Sequence, residues 1–261
     1  NYSDVYDLLS SIVNIKQKTG GIILITGPTG SGKSTTLYGI LKQMNRLNLN
    51  IMTVEEPVEF TLNYVRQTPI NTDAGITFAN ILRAHLRNDP DVLVIGEMRD
   101  PETVEIALRS AESGHLVLTT LHSIDCVQSI SRLLSMIPNH YKQSGKYIAA
   151  NYLKAIINQR LVVKLCPFCS ISVKVSEIKN HLDECLTGIV NPKGGLFAHL
   201  LQNYNILDLY AAFYSLSVIL KIEDDEVLML PSTKECMKCG SEGYHGRTLA
   251  VEALFFPQDK S

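Results

Sequence analysis

The chain has 261 residues, 45% of them hydrophobic, and a formal net charge of −2 at pH 7. It is long and apolar enough to bury the core of one large domain or two smaller ones. Lysine and arginine are scattered along it, which argues against a surface built to bind a nucleic-acid backbone. The longest apolar run, Leu209 to Leu220, is too short to span a bilayer, and no secretory signal opens the sequence. We expect a soluble intracellular protein.

The first predicted elements surround a glycine-rich segment. Residues 4–16 carry apolar side chains at helical spacing and predict an amphipathic helix. Residues 22–25 are consecutive apolar residues, typical of a buried strand, and residues 37–44 return to helical spacing. Between them, residues 27–34 match the phosphate-loop pattern G-x-x-x-x-G-K-[ST] at every fixed position.

This segment predicts a nucleotide site at the start of a helix. Glycines let the backbone turn its N–H groups inward around an anion, and the helix N-terminus adds unpaired donors. In such loops the lysine, here Lys33, reaches the β- and γ-phosphates, and the hydroxyl of Ser34 holds Mg²⁺. The alternative is a glycine-rich turn that matches by coincidence, with odds of roughly one in a hundred. The predicted nucleotide contacts are Gly27, Pro28, Thr29, Gly30, Ser31, Gly32, Lys33, Ser34 and Thr35.

The second predicted strand, residues 51–54, ends in acidic residues. Ligands bind at the carboxyl ends of strands in a parallel α/β sheet, so Glu55 and Glu56 stand where a nucleotide is expected. Pro57 ends the strand. Neighbouring side chains point in different directions, so we expect one of the two glutamates to reach the site. The alternative is a solvated acidic turn.

A third apolar strand is predicted from Asp91, after a helix over residues 77–88, and closes on Glu97. A strand that ends on an acid has the form of a Walker B element. Such an acid coordinates the metal through water or orients the water that attacks the γ-phosphate. The alternative, an ordinary strand followed by a surface acid, is less favoured downstream of a phosphate loop.

Another helix is predicted to begin at Pro101 and to end at Gly114, followed by a strand over residues 115–121 and by His122. His122 then lies at the carboxyl edge, where it is a candidate contact for the γ-phosphate. The alternative is a structural histidine. The alternation of strands and helices predicts an α/β fold whose parallel sheet is covered on both faces.

The pattern changes after His122. Helices are predicted over residues 125–137 and 141–159, and a short strand over residues 161–165. Further along, residues 195–203 and 206–220 predict two more helices.

Two C-x-x-C pairs lie in this second half, separated by 66 residues: Cys166 with Cys169, and Cys236 with Cys239. Four thiolates of this kind hold one zinc ion in tetrahedral geometry. One pair alone is also compatible with redox chemistry, but two pairs favour a metal. Because the intervening segment is long, His181 and Cys185 are alternative ligands. Cys126, among apolar neighbours, is predicted to be a packing residue.

Four segments, in this order, resemble the ATPases of type II secretion and type IV pilus assembly. They are the phosphate loop (residues 21–38), an aspartate box (53–59), a Walker B segment (91–100) and a histidine box (114–122). The resemblance covers about residues 18–169 and resumes at 236–252, where Glu252 fits the family's ending. Any one segment would be weak evidence, but their order and spacing are specific.

The resemblance implies a RecA-like P-loop ATPase core with a mostly parallel sheet in residues 21–160, after the end of a linker in residues 1–20. A C-terminal helical and zinc-knuckle subdomain would occupy residues 161–261. The protein would be a homo-hexamer that uses ATP, Mg²⁺ and Zn²⁺. It would work at the cytoplasmic face of the inner membrane, on an integral membrane platform protein and other secretion or pilus machinery, without direct contact to nucleic acid.

The resemblance also implies roles for individual residues. Lys33 and Ser34 would bind phosphate and Mg²⁺. Glu97 would be the Walker B acid, Glu55 the acid that positions water, and His122 a γ-phosphate contact. Two arginines, Arg83 and Arg87, would support the nucleotide or a neighbour's site. The four knuckle cysteines resemble those of extension motors, whereas retraction motors generally lack them.

The chain departs from the family at three points. Glu56 stands where the family usually has aspartate, the segment between the knuckles is longer than usual, and the family's N-terminal domain is absent from this sequence. We therefore expect a fragment with low activity of its own. The alternatives are a motor for DNA uptake or conjugative transfer, and an ATP-binding switch with little turnover. A kinase fits less well, because no acceptor-binding lid is evident.

Overall fold

The computed structural model describes residues 20–44, 46–186, 211–215, 221–231, 236–240 and 242–256. The helices predicted over residues 4–16 and 195–203 lie outside these ranges. Of residues 206–220, the described stretch 211–215 is helical. The described residues form two compact units, one made of those up to Leu161 together with those from Leu249, the other lying within Val162–Thr248.

Strands and helices alternate along most of the chain. The elements in order are β1 (Gly21–Thr26), α1 (Lys33–Gln43), β2 (Ile51–Glu55), β3 (Arg66–Pro69), α2 (Phe78–Leu86), β4 (Val92–Ile95), α3 (Pro101–Glu112), β5 (Leu116–Leu121), α4 (Cys126–Met136), α5 (Lys142–Tyr152), β6 (Leu153–Leu165), β7 (Ile171–Lys174), α6 (Val175–Leu186), β8 (Val227–Leu230) and β9 (Tyr244–Phe255).

The main sheet has the strand order β3-β2-β4-β5-β1-β6-β9. The neighbouring pairs from β3 to β6 are parallel. The predicted α/β fold with a mostly parallel sheet is therefore confirmed. Since these strands run the same way, the carboxyl ends of β1, β2, β4 and β5 meet at one edge of the sheet, which is where parallel sheets bind ligands.

Side chains of β1 alternate between two buried layers. Ile22 and Leu24 pack in a cluster with residues of α2, α3 and α5. Ile23 and Ile25 pack on the other face, with residues of α1 such as Leu41. A strand buried on both faces reads as a continuous apolar run, which is why residues 22–25 were identifiable from sequence.

Polar side chains start three of the helices. Thr77, Asp100 and Asp125 each precede a helix and accept a hydrogen bond from a backbone N–H three residues on, in α2, α3 and α4 respectively. Pro101 occupies the first turn of α3, where its fixed φ suits the helix. Such caps satisfy donors that the helix itself leaves unpaired.

The helix predicted over residues 141–159 is wrong beyond Tyr152, because Leu153 begins the long strand β6. Ile156 and Ile157 in this strand pair with β1 and are buried. Short apolar runs fit a buried strand and a helix equally well by periodicity, and here β-branched residues pairing with a central strand decided the outcome. The strand predicted over residues 161–165 is the last part of β6.

Within the second unit, β7 and β8 form an antiparallel pair. Val173 of β7 packs with Ile178 and Leu182 of α6 in a separate small cluster, with Leu228 of β8 against it. This core is much smaller than those of the main sheet, so other interactions are needed to stabilise the unit.

We expect His85 of α2 to make folding sensitive to mildly acidic pH. Its Nε2 lies 3.1 Å from Thr68 Oγ1, while its buried Nδ1 has no partner among the described residues. Burial, with the nearby charge of Arg66, lowers the pKa of His85 below 6.5. The unfolded chain then takes up this proton first, so stability should be fully present above the unfolded pKa and fall as pH drops below it.

We expect urea unfolding midpoints to decline from about pH 7.5 to pH 5, and to decline less steeply in His85→Gln, which cannot titrate. Comparing the slopes rather than the absolute midpoints separates this effect from any constant cost of the substitution. Identical slopes for the two proteins would contradict the prediction.

Candidate nucleotide site

The phosphate loop connects β1 to α1 and requires glycine at three positions. Gly27, Gly30 and Gly32 have φ values of 146°, 74° and 85°, which side chains rarely allow. At Gly27 there is also no room, since a Cβ would lie 2.3 Å from the carbonyl oxygen of Gln159. Gly32 precedes α1 and offers no capping side chain, so the first N–H groups of that helix stay available to an anion.

Lys33 reaches across the loop. Its Nζ donates to the carbonyl oxygens of Gly27 and Pro28, each at 3.0 Å, and lies 3.5 Å from Nδ1 of His122. Burial lowers the pKa of Lys33, and the charge of Glu97 acts in the opposite direction. The cation of α1 and the histidine that follows β5 are thus brought together.

Glu97 lies next to the same histidine. Its Oε1 is 3.2 Å from Nε2 of His122, and its Oε2 accepts from Nε of Arg99 at 2.8 Å. His122 therefore has Lys33 at one ring nitrogen and Glu97 at the other. This places an acid, an imidazole and a cation in one row at the carboxyl edge of the sheet.

Glu55 is buried and held by neutral donors. Tyr38 donates its hydroxyl to Oε2, and Oε1 accepts from Thr53 Oγ1 at 2.5 Å and from Gln67 Nε2 at 3.1 Å. Burial, together with the hydrogen bond to Glu55, raises the pKa of Tyr38 to about 12. The phenol therefore stays protonated and remains a donor to the carboxylate at any ordinary pH.

Glu56 has a different partner from its neighbour. Its Oε2 accepts from Nη1 of Arg99 at 2.6 Å, and Arg99 also pairs with Glu97. The hydrogen bond that Arg99 donates to Glu97 is the main reason that the pKa of Arg99 is raised. One guanidinium thus joins the acid after β2 to the acid after β4.

These side chains surround a cleft of about 450 Å³, within the usual range for small-molecule sites. Its lining includes the loop residues Thr29, Gly30, Ser31, Gly32, Lys33, Ser34 and Thr35, and beyond the loop Tyr38, Glu55, Glu56, Gly96, Glu97, Arg99, Thr120 and His122. Gly27 and Pro28 hold the lysine through their carbonyl groups instead.

Arg83 and Arg87 are not among the described lining residues of this cleft. Arg83, in the last turn of α2, pairs with Glu102 at the start of α3. Arg87 follows α2 and is exposed. Within this chain, the structure does not bring the two arginines to the phosphate loop.

The predicted site residues did not include Tyr38, Arg99 and Gln159. Tyr38 lies five residues after Lys33 on α1, and Arg99 lies two residues after Glu97, so both were near motifs already identified. Gln159 gave no such signal, because it lies far along the chain on β6 and within the stretch predicted as helix.

The second unit brings the four predicted cysteines together. The Sγ atoms of Cys166, Cys169, Cys236 and Cys239 lie within 4.8 Å of one another. Those of Cys166 and Cys236 are 3.9 Å apart, and those of Cys169 and Cys239 are 3.7 Å apart. Thiolates around a tetrahedral zinc are about 3.8 Å apart when each Zn–S bond is about 2.3 Å, so the set fits such an ion.

The other sulfur and imidazole candidates take no part in this cluster. His181 and Cys185 belong to α6, and the group of possible ligands found among the described residues does not include them. Cys126 is buried, as predicted for a packing residue, and its pKa is raised by that burial. Among the described residues, the possible ligands that cluster are therefore the four cysteines.

A family model for the type II/IV secretion system protein matches residues 5–261. The chain belongs to this family. Among the described residues, no helix combines the length and the apolar character that crossing a membrane requires.

Several curated relatives carry the same region of this secretion family. The protein transport protein HofB homolog of Escherichia coli (strain K12) is 45% identical over 161 residues, which is 62% of this chain and 34% of the relative. Type II secretion system protein E of Pseudomonas aeruginosa is 35% identical over 92% of this chain and 39% of its own length. The type IV pilus assembly ATPase PilB of Thermus thermophilus is 46% identical over 60% of this chain and 17% of its own length. The chain thus spans well under half of these relatives.

Solved structures of ATPases are similar in fold. The pilus retraction motor PilT, crystallised with ADP, is 42% identical with a TM-score of 0.53, over 57% of this chain and 44% of PilT. The ATPase DotB of Legionella pneumophila is 28% identical with a TM-score of 0.51, over 62% and 46% of the two chains. The VirB11 ATPase of Brucella suis, at 21% identity and a TM-score of 0.52, shows the fold alone.

Proposed function

We propose that this secretion-family chain is the motor region of an ATPase that hydrolyses ATP as a hexamer. It would power type IV pilus assembly or type II protein secretion from the cytoplasmic face of the inner membrane. One observation carries the proposal: Lys33, His122 and Glu97 form a row beside the phosphate loop, in the same cleft as Glu55. A cation for phosphate and two acids for water and metal are what ATP hydrolysis requires.

Each of these residues has a proposed task. The loop N–H groups and Lys33 bind the phosphates, and Ser34 holds Mg²⁺, which when bound neutralises charge on the β- and γ-phosphates. Glu55, held in place by hydrogen bonds from three donors, orients the attacking water. Glu97 takes the Walker B position, and His122 contacts the γ-phosphate.

Arg83 and Arg87 are proposed to act on the nucleotide of a neighbouring subunit. They stand away from the cleft of their own chain, and the Arg83 side chain is 48% exposed. The homo-hexamer, the membrane platform partner and the attachment to the inner membrane through that partner belong to the same proposal. Curated relatives named for secretion and for pilus assembly support it.

Two alternatives remain distinct from this function. A motor for DNA uptake or conjugative transfer would share the ATP chemistry and differ in cargo. A nucleotide-binding switch would bind ATP and turn it over hardly at all. Clustered knuckle cysteines, which resemble those of extension motors, favour assembly or secretion over retraction.

Mg²⁺-dependent ATP turnover, measured per chain over a wide range of protein concentration, tests the proposal. Specific activity that rises with concentration, in step with a hexamer peak on size-exclusion chromatography, is the expected result. Turnover by a species that remains a monomer at every concentration would contradict the ring. If the assembled ring binds nucleotide but does not hydrolyse it, the nucleotide-binding switch becomes the favoured function.

We also propose that Cys166, Cys169, Cys236 and Cys239 hold one structural zinc ion, which would stabilise the small second unit. Elemental analysis of protein purified without chelator should give about one zinc per chain. Removal of the metal should lower the thermal unfolding midpoint, because the binding free energy of a structural metal is folding free energy.

Cys239→Ala should lose the zinc, and Cys185→Ala is the matched control. Cys185→Ala removes a cysteine that lies in the same unit but outside the four-cysteine cluster. Equal zinc content in the two variants, or no zinc in the unmodified protein, would contradict this assignment.

A further inference from the structure

Two consecutive residues of β6 lie behind the nucleotide site. Asn158 and Gln159 are 4% and 0% exposed. Successive side chains of a strand point to opposite faces of the sheet, so the two residues reach different surroundings. Each makes buried hydrogen bonds to a segment that carries proposed site residues.

Gln159 supports the phosphate loop from one side. Its Nε2 donates to the carbonyl oxygen of Ser31 at 2.8 Å. The backbone carbonyl oxygen of Gln159 lies so close to Gly27 that a Cβ on Gly27 would be 2.3 Å from it. Both the first glycine of the loop and the residue before Gly32 are therefore fixed against one residue of β6.

Asn158 joins the loop to the histidine segment. Its Nδ2 donates to Oγ1 of Thr26 at 2.9 Å and to the carbonyl oxygen of Ser123 at 3.3 Å. Ser129 adds a second link, since its Oγ lies 3.1 Å from Oγ1 of Thr26 and 2.5 Å from Oγ of Ser123. Thr26 is the residue before the loop, and Ser123 is the residue after His122.

We propose that Gln159 and Asn158 are positioning residues of the nucleotide site, with different tasks. Gln159 fixes the shape of the phosphate loop, and Asn158 fixes His122 relative to that loop. This inference rests on the proposed ATPase function. Buried polar groups that lose a partner remain costly, so a site held by such bonds shifts when one is removed.

The two tasks predict effects on different kinetic constants. The loop contacts the phosphates in the ground state and in the transition state alike, so Gln159→Leu should raise KM for ATP about tenfold with kcat changed by less than about threefold. His122 would act on the phosphate that is transferred, so Asn158→Leu should lower kcat about tenfold with KM changed by less than about threefold. Both replacements are close in volume to the original residue.

Milder variants keep the test valid if a leucine variant fails to fold. Thr26→Val removes the hydroxyl that accepts from Asn158, and we expect it to lower kcat in the same way. Thr119→Val on β5 is the matched control, because the Thr119 hydroxyl is equally buried but has no hydrogen-bond partner in the described part of the chain. The loss of kcat in the double variant Thr26→Val with Asn158→Leu should be smaller than the product of the two single losses, since both substitutions break the hydrogen bond between Asn158 and Thr26.

The experiment uses the full chain and records kcat, KM, the Kd for Mg²⁺-ATP and the thermal unfolding midpoint. Without turnover in the unmodified protein the ATPase proposal fails, and Kd still tests the inference: Gln159→Leu should weaken binding about tenfold and Asn158→Leu should not. The inference would be overturned if Gln159→Leu and Asn158→Leu lost activity and binding equally, in proportion to the fall in their unfolding midpoints. Equal effects of Thr26→Val and Thr119→Val would also overturn it.

Discussion

Lys33→Ala is expected to abolish measurable nucleotide binding. The Lys33 ammonium is the one loop-borne cation in the described cleft lining, and its Nζ is held over the loop by the carbonyl groups of Gly27 and Pro28. Alanine would remove charge-assisted hydrogen bonds to the β- and γ-phosphates, which are about twice as strong as neutral ones. We expect the Kd for a fluorescent ATP analogue with Mg²⁺ to rise at least about 100-fold.

Lys42→Ala is the matched control for this variant. Lys42 lies in the last turn of the same helix and is exposed, so its loss removes the same charge away from the cleft. The two proteins should unfold at similar temperatures and differ in binding. Tight binding by Lys33→Ala would mean that the phosphates do not lie on this loop.

Glu97→Gln is expected to keep nucleotide binding and to lose hydrolysis. Glutamine has the same shape and can still lie beside His122 and Arg99, but it lacks the negative charge that metal and water require. We expect kcat to fall by about 10²- to 10⁴-fold, the usual range for a lost acid–base group, with the Kd for Mg²⁺-ATP within about threefold.

Glu112→Gln tests whether any loss of acidic charge has this effect. Glu112 is exposed at the end of α3 and does not line the described cleft. Glu112→Gln should retain full turnover in single-turnover assays, in which Glu97→Gln should be slower by about 10²- to 10⁴-fold. Turnover that survives in Glu97→Gln would overturn the role proposed for that acid.

The strands that position the site were predictable, because each is buried on both faces. β1, β2, β4 and β5 read as continuous apolar runs, and turn residues or helical spacing separate them. β3 was missed for the opposite reason. Its sequence Arg66–Pro69 is polar and half-exposed at the edge of the sheet, so it carries neither alternation nor a buried run.

Motif residues were easier to predict than the residues that hold them. Lys33, Glu97 and His122 follow strands whose order along the chain is recognisable, so their meeting at one edge could be expected. Contacts such as Tyr38 with Glu55 depend on which strand lies beside which helix. That arrangement is known only from the three-dimensional structure, so the contact between Tyr38 and Glu55 could not be predicted from the sequence of either segment.

The departure at Glu56 also needed coordinates. From sequence, Glu56 was noted only as standing where the resembled family usually has aspartate. In the structure its carboxylate pairs with Arg99. Similarly, spacing alone left His181 and Cys185 as possible metal ligands, whereas the coordinates show the four knuckle sulfur atoms clustered.

The order of strands in the sheet has a consequence for how the chain reaches its native state. Lys33 and His122 lie 89 positions apart in the sequence. The cleft that contains both therefore forms only when the chain has folded so that β5 pairs with β1. A ligand that needs both residues therefore binds the native state and not the unfolded chain. At a free concentration of about 100 times Kd it would add about 2.7 kcal/mol to stability. ATP bound as proposed would therefore link two segments that are distant along the chain, and its loss would make the chain easier to unfold and to cleave.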